Sequence, residues 1–150
     1  MENILEVKNL KKYFTVSKGN LHAVDDISFS IKAGETFGIV GESGCGKSTL
    51  GRVILRLHEP TSGQVIYEGM NITRFNRKEM QQMRKHMQII FQDPFSSLNP
   101  RYTIAQIIEE PLKLNNIYNT SSKRRERVEE LMELTGLSTR LYNSYPHELD

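Results

Sequence analysis

GESGCGKST, Gly41 to Thr49, fits the pattern G-x-x-x-x-G-K-[ST] with Gly41, Gly46, Lys47 and Ser48 on the fixed positions. The pattern describes a loop that wraps phosphate oxygens. Glycines let successive backbone N–H groups turn inward without Cβ clashes. A helix opening near Lys47 adds its positive N-terminal end. Lys47 is then placed to reach the β- and γ-phosphates as a point charge, and Ser48 to bind Mg²⁺ through its hydroxyl. Glu42, Ser43, Gly44, Cys45 and Thr49 complete the wall of the cradle.

The flanks give this loop its context. TFGIV (Thr36–Val40) is a short apolar run, the form of a buried strand. TLGRVILRLHEP follows the loop, and its Leu50, Val53, Ile54 and Leu57 share one helical face before Pro60 stops the helix. A phosphate loop between a strand and a helix is far more specific than the pattern alone. Further out, ILEVKNL and AVDDISFSI read as strands joined through SKGN, and QVIYEG as another after the turn PTSG. NRKEMQQMRKH reads as a polar helix capped by Asn76, and MQIIF (Met87–Phe91) as a second core strand. TIAQIIEEPL and KRRERVEELMELTG read as helices, the second with Val128, Leu131, Met132 and Thr135 on one face and ending at Gly136. The strand-rich first half and helical second half predict two subdomains, 1–94 and 95–150.

Composition narrows the classes. The 150 residues carry 20 Lys and Arg against 18 Asp and Glu, a net charge of +2, too balanced for a nucleic-acid surface. The basic run SSKRRER is followed by glutamates and reads as a solvated helix face. A single cysteine, Cys45, allows no internal disulfide and fits a reducing compartment. No secretory signal opens the chain, and no apolar run reaches the ~18 residues of a membrane span. If the protein serves a membrane, another chain supplies the membrane part. His22, His58 and His86 have no ligand spacing and read as surface residues.

GESGCGKST together with IIFQDPFSSLNPR (Ile89–Arg101) resembles the ATP-binding subunit of ABC transporters, most of all the subfamily energising oligopeptide, dipeptide and nickel importers. LKKYF, AVDDISFSIKAGETFGIVGESGCGKSTLGR, EPTSGQV and YPHEL extend the resemblance along the whole chain in family order. It implies an α/β P-loop nucleotide-binding domain with an antiparallel β region, a parallel core sheet and a helical subdomain. Tyr13 matches the aromatic that stacks on adenine, with Phe14 next in line. Gln92 matches the Q-loop glutamine, which contacts Mg²⁺ and the attacking water and senses the membrane partner. Phe95 and Leu98 would then lie near the permease's coupling helix. His147 and Glu148 precede the family signature and are not expected to be catalytic.

The resemblance therefore implies ATP and Mg²⁺ as cofactors. The implied partners are integral membrane permease subunits, a second ABC ATPase subunit and, indirectly, an extracytoplasmic solute-binding protein; nucleic acid is not among them. The implied location is the cytoplasmic face of the membrane. The family signature would open at Leu149, with Asp150 in place of its usual serine. The Walker B strand, catalytic glutamate and switch histidine have no counterpart in these residues. The expectation is an incomplete domain, the N-terminal portion of an ATPase, inactive in hydrolysis by itself. Two alternatives remain: a soluble ABC ATPase of DNA repair or ribosomes, and a nucleotide-binding module without turnover.

Overall fold

The computed structural model describes residues 2–149, apart from the side chain of Phe95. Residue contacts divide the chain into two compact units, one ending at Ile89 and one beginning at Ile90.

The first unit is organised by a long antiparallel hairpin. Strands β1 (Asn3–Val16) and β2 (Gly19–Lys32) are joined by a two-residue turn, Ser17 and Lys18. Their register slips near Asn9 and Asp26, both in the left-handed region (φ 46° and 55°). The Asn9 side chain donates to Asp26 Oδ1 at 3.1 Å, and its backbone N–H donates to Ser28 Oγ at 2.8 Å. These bonds replace ladder bonds lost at the bulge. β3 (Ser62–Tyr67) pairs with the other edge of β1, and the short β4 (Met70–Asn71) with β3, giving the order β2-β1-β3-β4, antiparallel throughout. Gly63, at φ 92°, lies against β1 so closely that a Cβ would stand within the contact distance of Asn9 O.

Helix α1 (Lys47–Ile54) packs on β1 and β2, and α2 (Arg77–Met83) closes the core. Val7, Leu10, Val53, Val65 and Ile72 are completely buried there. The Asn76 cap is present: its side chain accepts from the N–H groups of Lys78 and Glu79, while Glu79 accepts from Asn76 N–H. α1 is shorter than its apolar spacing predicts. Leu55 caps it, Arg56 turns into the left-handed region (φ 50°), and Leu57 is left exposed. The Arg56 guanidinium explains the turn. It donates to Ile72 O (2.8 Å) and Phe75 O (2.7 Å) and grips the Glu59 carboxylate, tying the helix end to the segment after β4.

The two apolar runs expected as parallel core strands, Thr36–Val40 and Met87–Phe91, are not strands. Neither has a ladder partner among the described residues, since every strand pair belongs to the antiparallel sheet. Without partners an apolar run gains no ladder hydrogen bonds and little burial, Met87 alone being half-buried against the core. Val40 and Ile90 are accordingly 93% and 92% exposed. Phe37 finds partial shelter stacked on Phe29 at 4.9 Å.

The second unit is helical: α3 (Pro94–Ser97), α4 (Ile104–Leu114) and α5 (Ser121–Leu134). Thr103 and Gln106 form a reciprocal capping box on α4, and Thr120 caps α5. Ile104, Ala105, Leu112, Val128 and Met132 form its core. Leu131 is half-buried and Thr135 exposed, so the buried stripe of α5 is narrower than its spacing predicts. Gly136, at φ 74°, ends α5, with Leu137 N–H donating to Met132 O. Glu109 of α4 bridges Lys113 at 2.7 Å and Arg124 of α5 at 2.9 Å.

Candidate functional site: the glycine loop and the β2 edge

The glycine loop runs along the outer edge of β2. Gly46, at φ 96°, is pressed onto the strand so closely that a Cβ there would stand 2.0 Å from Ala23 O. No other residue fits this position, which explains one fixed glycine of the pattern. Lys47 folds back over the loop: its ammonium donates to Gly41 O (2.9 Å) and Glu42 O (2.5 Å) and lies 3.5 Å from Cys45 Sγ. Ser43 is exposed on the turn.

α1 begins at Lys47 with no side-chain cap and no acidic residue in its first turn. α2, α4 and α5 each have a capping side chain, from Asn76, Thr103 and Thr120. An uncapped first turn leaves N–H donors and the positive helix end without a side-chain partner. With the Lys47 ammonium beside it, this corner suits a multiply charged anion.

A cleft of about 310 Å³ opens between the loop and the strands. Gly44 to Thr49 form one wall, and Phe14, Leu21, His22 and Ala23 the other. Two other depressions suit phosphate less well. One of about 380 Å³ shares part of the loop but is walled by Ile27, Ile39, Val40 and Leu50. The larger, about 650 Å³, lies at the far end of the hairpin beside Glu2, Glu6 and Glu68, whose charges repel an anion.

Of the residues expected to hold a nucleotide, the structure brings Gly44, Cys45, Gly46, Lys47, Ser48 and Thr49 to this cleft, with Gly41 and Glu42 beneath them through Lys47. Tyr13 does not line it. Its ring is stacked on His22, its cross-strand partner, at 3.8 Å and 11°, and its hydroxyl donates to Asp25 Oδ1 at 2.5 Å. That bond, ahead of burial and the nearby acids, holds the Tyr13 hydroxyl above its ordinary pKa. The same bond, with smaller help from His22 and Lys11, holds Asp25 below the usual carboxylate range. The aromatic on the cleft wall is Phe14, half-buried, with Lys12 Nζ 4.8 Å from its ring centroid and His58 against its edge. Successive strand residues point to opposite faces, so the Tyr13–Phe14 pair offers only one of its rings to each side.

Gln92 is exposed in the second unit, just before α3. Leu98 is half-buried; the side chain of Phe95, like Asp150, lies outside the described residues. No cluster of three or more His, Cys, Asp or Glu side chains suited to a metal occurs among the described residues. No helix among them is long and apolar enough to cross a membrane. His22, expected at the surface, is exposed there and borders the cleft at the edge of β2.

Comparison with known proteins gives the family and the fold. Residues 24–149 match the family described as ABC transporter. The oligopeptide transport ATP-binding protein OppF of Bacillus subtilis is 51% identical over 148 residues, covering 98% of this chain and 48% of that protein. AppF of the same organism, also an oligopeptide transport ATP-binding protein, is 48% identical, with 98% and 47% covered. The dipeptide transport ATP-binding protein DppF of Haemophilus influenzae is 43% identical, with 96% and 46% covered. The chain thus spans about half the length of the curated relatives it matches. Among solved structures, the dimeric bacterial ABC transporter cassette MJ0796 superposes with a TM-score of 0.81 at 29% identity, covering 97% of this chain and 63% of that one. CbiO1 of Clostridium perfringens, part of an ABC transporter complex, superposes with a TM-score of 0.73 at 29% identity, covering 100% and 57%. The fold is that of an incomplete α/β ABC nucleotide-binding domain, and the chain belongs to the ABC transporter family.

Proposed function

We propose that this chain binds ATP with Mg²⁺ in the cleft between the glycine loop and β2, as the nucleotide-binding portion of an importer for peptides. The observation that carries this is the uncapped start of α1 with the Lys47 ammonium beside it, on one wall of a cleft whose other wall holds Phe14. The phosphates take the N–H groups at the start of α1, and Lys47 exchanges the carbonyls of Gly41 and Glu42 for phosphate oxygens. Ser48, exposed on the cleft wall, offers its hydroxyl to the cation. With no acidic cluster suited to a metal among the described residues, that cation depends on the phosphates for most of its ligands. The base stacks on Phe14, which lines the cleft, and not on Tyr13, which does not.

Bound ATP supplies the phosphoanhydride whose hydrolysis drives transport. In this reading Gln92 links the nucleotide to membrane permease subunits, a second ATPase subunit completes the site, and the protein works at the cytoplasmic face. The ATP-binding part is residues 1–94 and the helical part 95–150. Peptide is favoured as cargo by the printed names of the relatives, which are oligopeptide and dipeptide transport proteins. The near-neutral charge disfavours a role on DNA or ribosomes. Co-purification with permease subunits tests the assignment to transport. Stimulation of nucleotide turnover by DNA or ribosomes, without membrane partners, would overturn it.

A further inference from the structure

We propose that Tyr13, His22 and Asp25 form a brace that sets the position of the phosphate loop by holding Ala23 against it. The inference rests on the nucleotide reading above and adds three positioning residues to it, which act through Ala23 and not on the ligand. Its basis is a slip in the β1–β2 register. Lys12 pairs with Val24, but the next residue of β1, Tyr13, pairs with His22, so Ala23 is an extra residue in β2. A bulged residue has no cross-strand partner to fix it, and the strand bends there. Ala23 is also the residue on which the loop rests: its carbonyl lies against Gly46, with no room left for a Cβ. A position that the ladder leaves loose is therefore what supports the phosphate cradle.

Three side chains close over that bulge. The Tyr13 ring stacks at 3.8 Å and 11° on His22, which precedes Ala23 in the chain. The Tyr13 hydroxyl donates at 2.5 Å to Oδ1 of Asp25, which lies beyond it. His22 Nδ1 is 3.5 Å from Asp25 Oδ2, and Lys11 Nζ is 3.8 Å from Oδ1. Residues on both sides of Ala23 are thus tied to one side chain of β1, and the bulge cannot open without breaking a contact. Phe14, the next residue of β1, turns to the opposite face, so the brace bears on the phosphate end of the site and not on the base.

Calorimetric titration with Mg-ATP and with inorganic tripolyphosphate tests this in wild type, Tyr13→Phe, Asp25→Ala, Asp25→Asn and Phe14→Ala. Loss of the exposed Tyr13–Asp25 bond should lower affinity about two- to fivefold. Tyr13→Phe and Asp25→Ala should each weaken both ligands by a factor of that size. The double variant Tyr13→Phe/Asp25→Ala should be no weaker than Asp25→Ala, because the two residues act through one bond. Removing a carboxylate would by itself favour an anion, so a loss in Asp25→Ala cannot come from charge. Asp25→Asn keeps an acceptor for the Tyr13 hydroxyl and should bind both ligands at least as tightly as wild type. Phe14→Ala should weaken ATP alone. Unchanged affinity in Tyr13→Phe and Asp25→Ala, a loss there confined to ATP, or a loss in Asp25→Asn as large as in Asp25→Ala overturns the proposal and leaves the cradle standing. Failure of the wild type to bind tripolyphosphate overturns the cradle itself, and the proposal with it.

Discussion

Val65 and Val40 both sit in short stretches that read as strands, and they end in opposite environments. Val65, in β3, is 0% exposed, whereas Val40, before the glycine loop, is 93% exposed. The less apolar of the two stretches is the one that is buried; the difference is in their partners. β3 has β1 on one side and β4 on the other, and α1 and α2 contribute to the core that buries its inward face. Thr36–Val40 has no ladder partner among the described residues, and Val40 is left facing outward. A strand is a property of a pair, and apolar content alone selects a segment without supplying its neighbour.

The comparison can be broken by truncating either side. Leu10→Ala in the β1 core, where the side chain is completely buried, should cost about 2–5 kcal/mol of stability. Val40→Ala should change stability by less than about 0.5 kcal/mol, since no packing is lost. Urea unfolding of the two variants measures both, and equal losses would mean that Val40 is packed after all. Between these extremes lies Arg124, which ties α5 to Glu109 of α4 and to Tyr118 O. Arg124→Ala should cost about 1 kcal/mol, as expected for a partly exposed ion pair, and hydrogen exchange should show it in the α4 and α5 amides.

That pair also gives the helical unit an acid-side pH dependence. Glu109 is held below the ordinary glutamate range by its hydrogen bonds to Lys113 and then Arg124. A depressed carboxylate stabilises the fold above its unfolded pKa, and the contribution disappears as pH falls through the folded value. Thermal melts should therefore show a smaller acid-side loss in Glu109→Gln than in wild type. A subtler sharpening of the loop's own geometry uses Cys45, exposed on the cleft wall. Maleimide labelling of its thiol should slow when Mg-ATP is present. Unchanged labelling would place the nucleotide away from the loop.

Legibility followed the range of the interactions. The glycine loop was readable because its constraint is local: Gly46 has no room for a Cβ and Lys47 caps its own loop. The Asn76 cap and the Gly136 stop were readable for the same reason. The early end of α1 was not, because Arg56 is turned by carbonyls of Ile72 and Phe75 that lie far along the chain. Nor was the choice between Tyr13 and Phe14. Alternation says that the two rings face opposite ways, but which face meets the loop depends on β2 and on the bulge at Asn9 and Asp26. The stack of Tyr13 on His22 was likewise invisible until the cross-strand register set the two opposite each other.

The central claim is that this cleft holds ATP with the phosphates at Lys47 and the base at Phe14. Calorimetric titration of Mg-ATP into wild type, Lys47→Ala, Phe14→Ala and Tyr13→Phe tests it directly. Lys47→Ala should weaken binding by at least about tenfold, since a charge-assisted bond is lost. Phe14→Ala should lose about 1–3 kcal/mol of stacking, and Tyr13→Phe, which keeps the ring on His22, should lose less than either. Equal affinities for wild type and Lys47→Ala, or a larger loss at Tyr13 than at Phe14, would contradict the account.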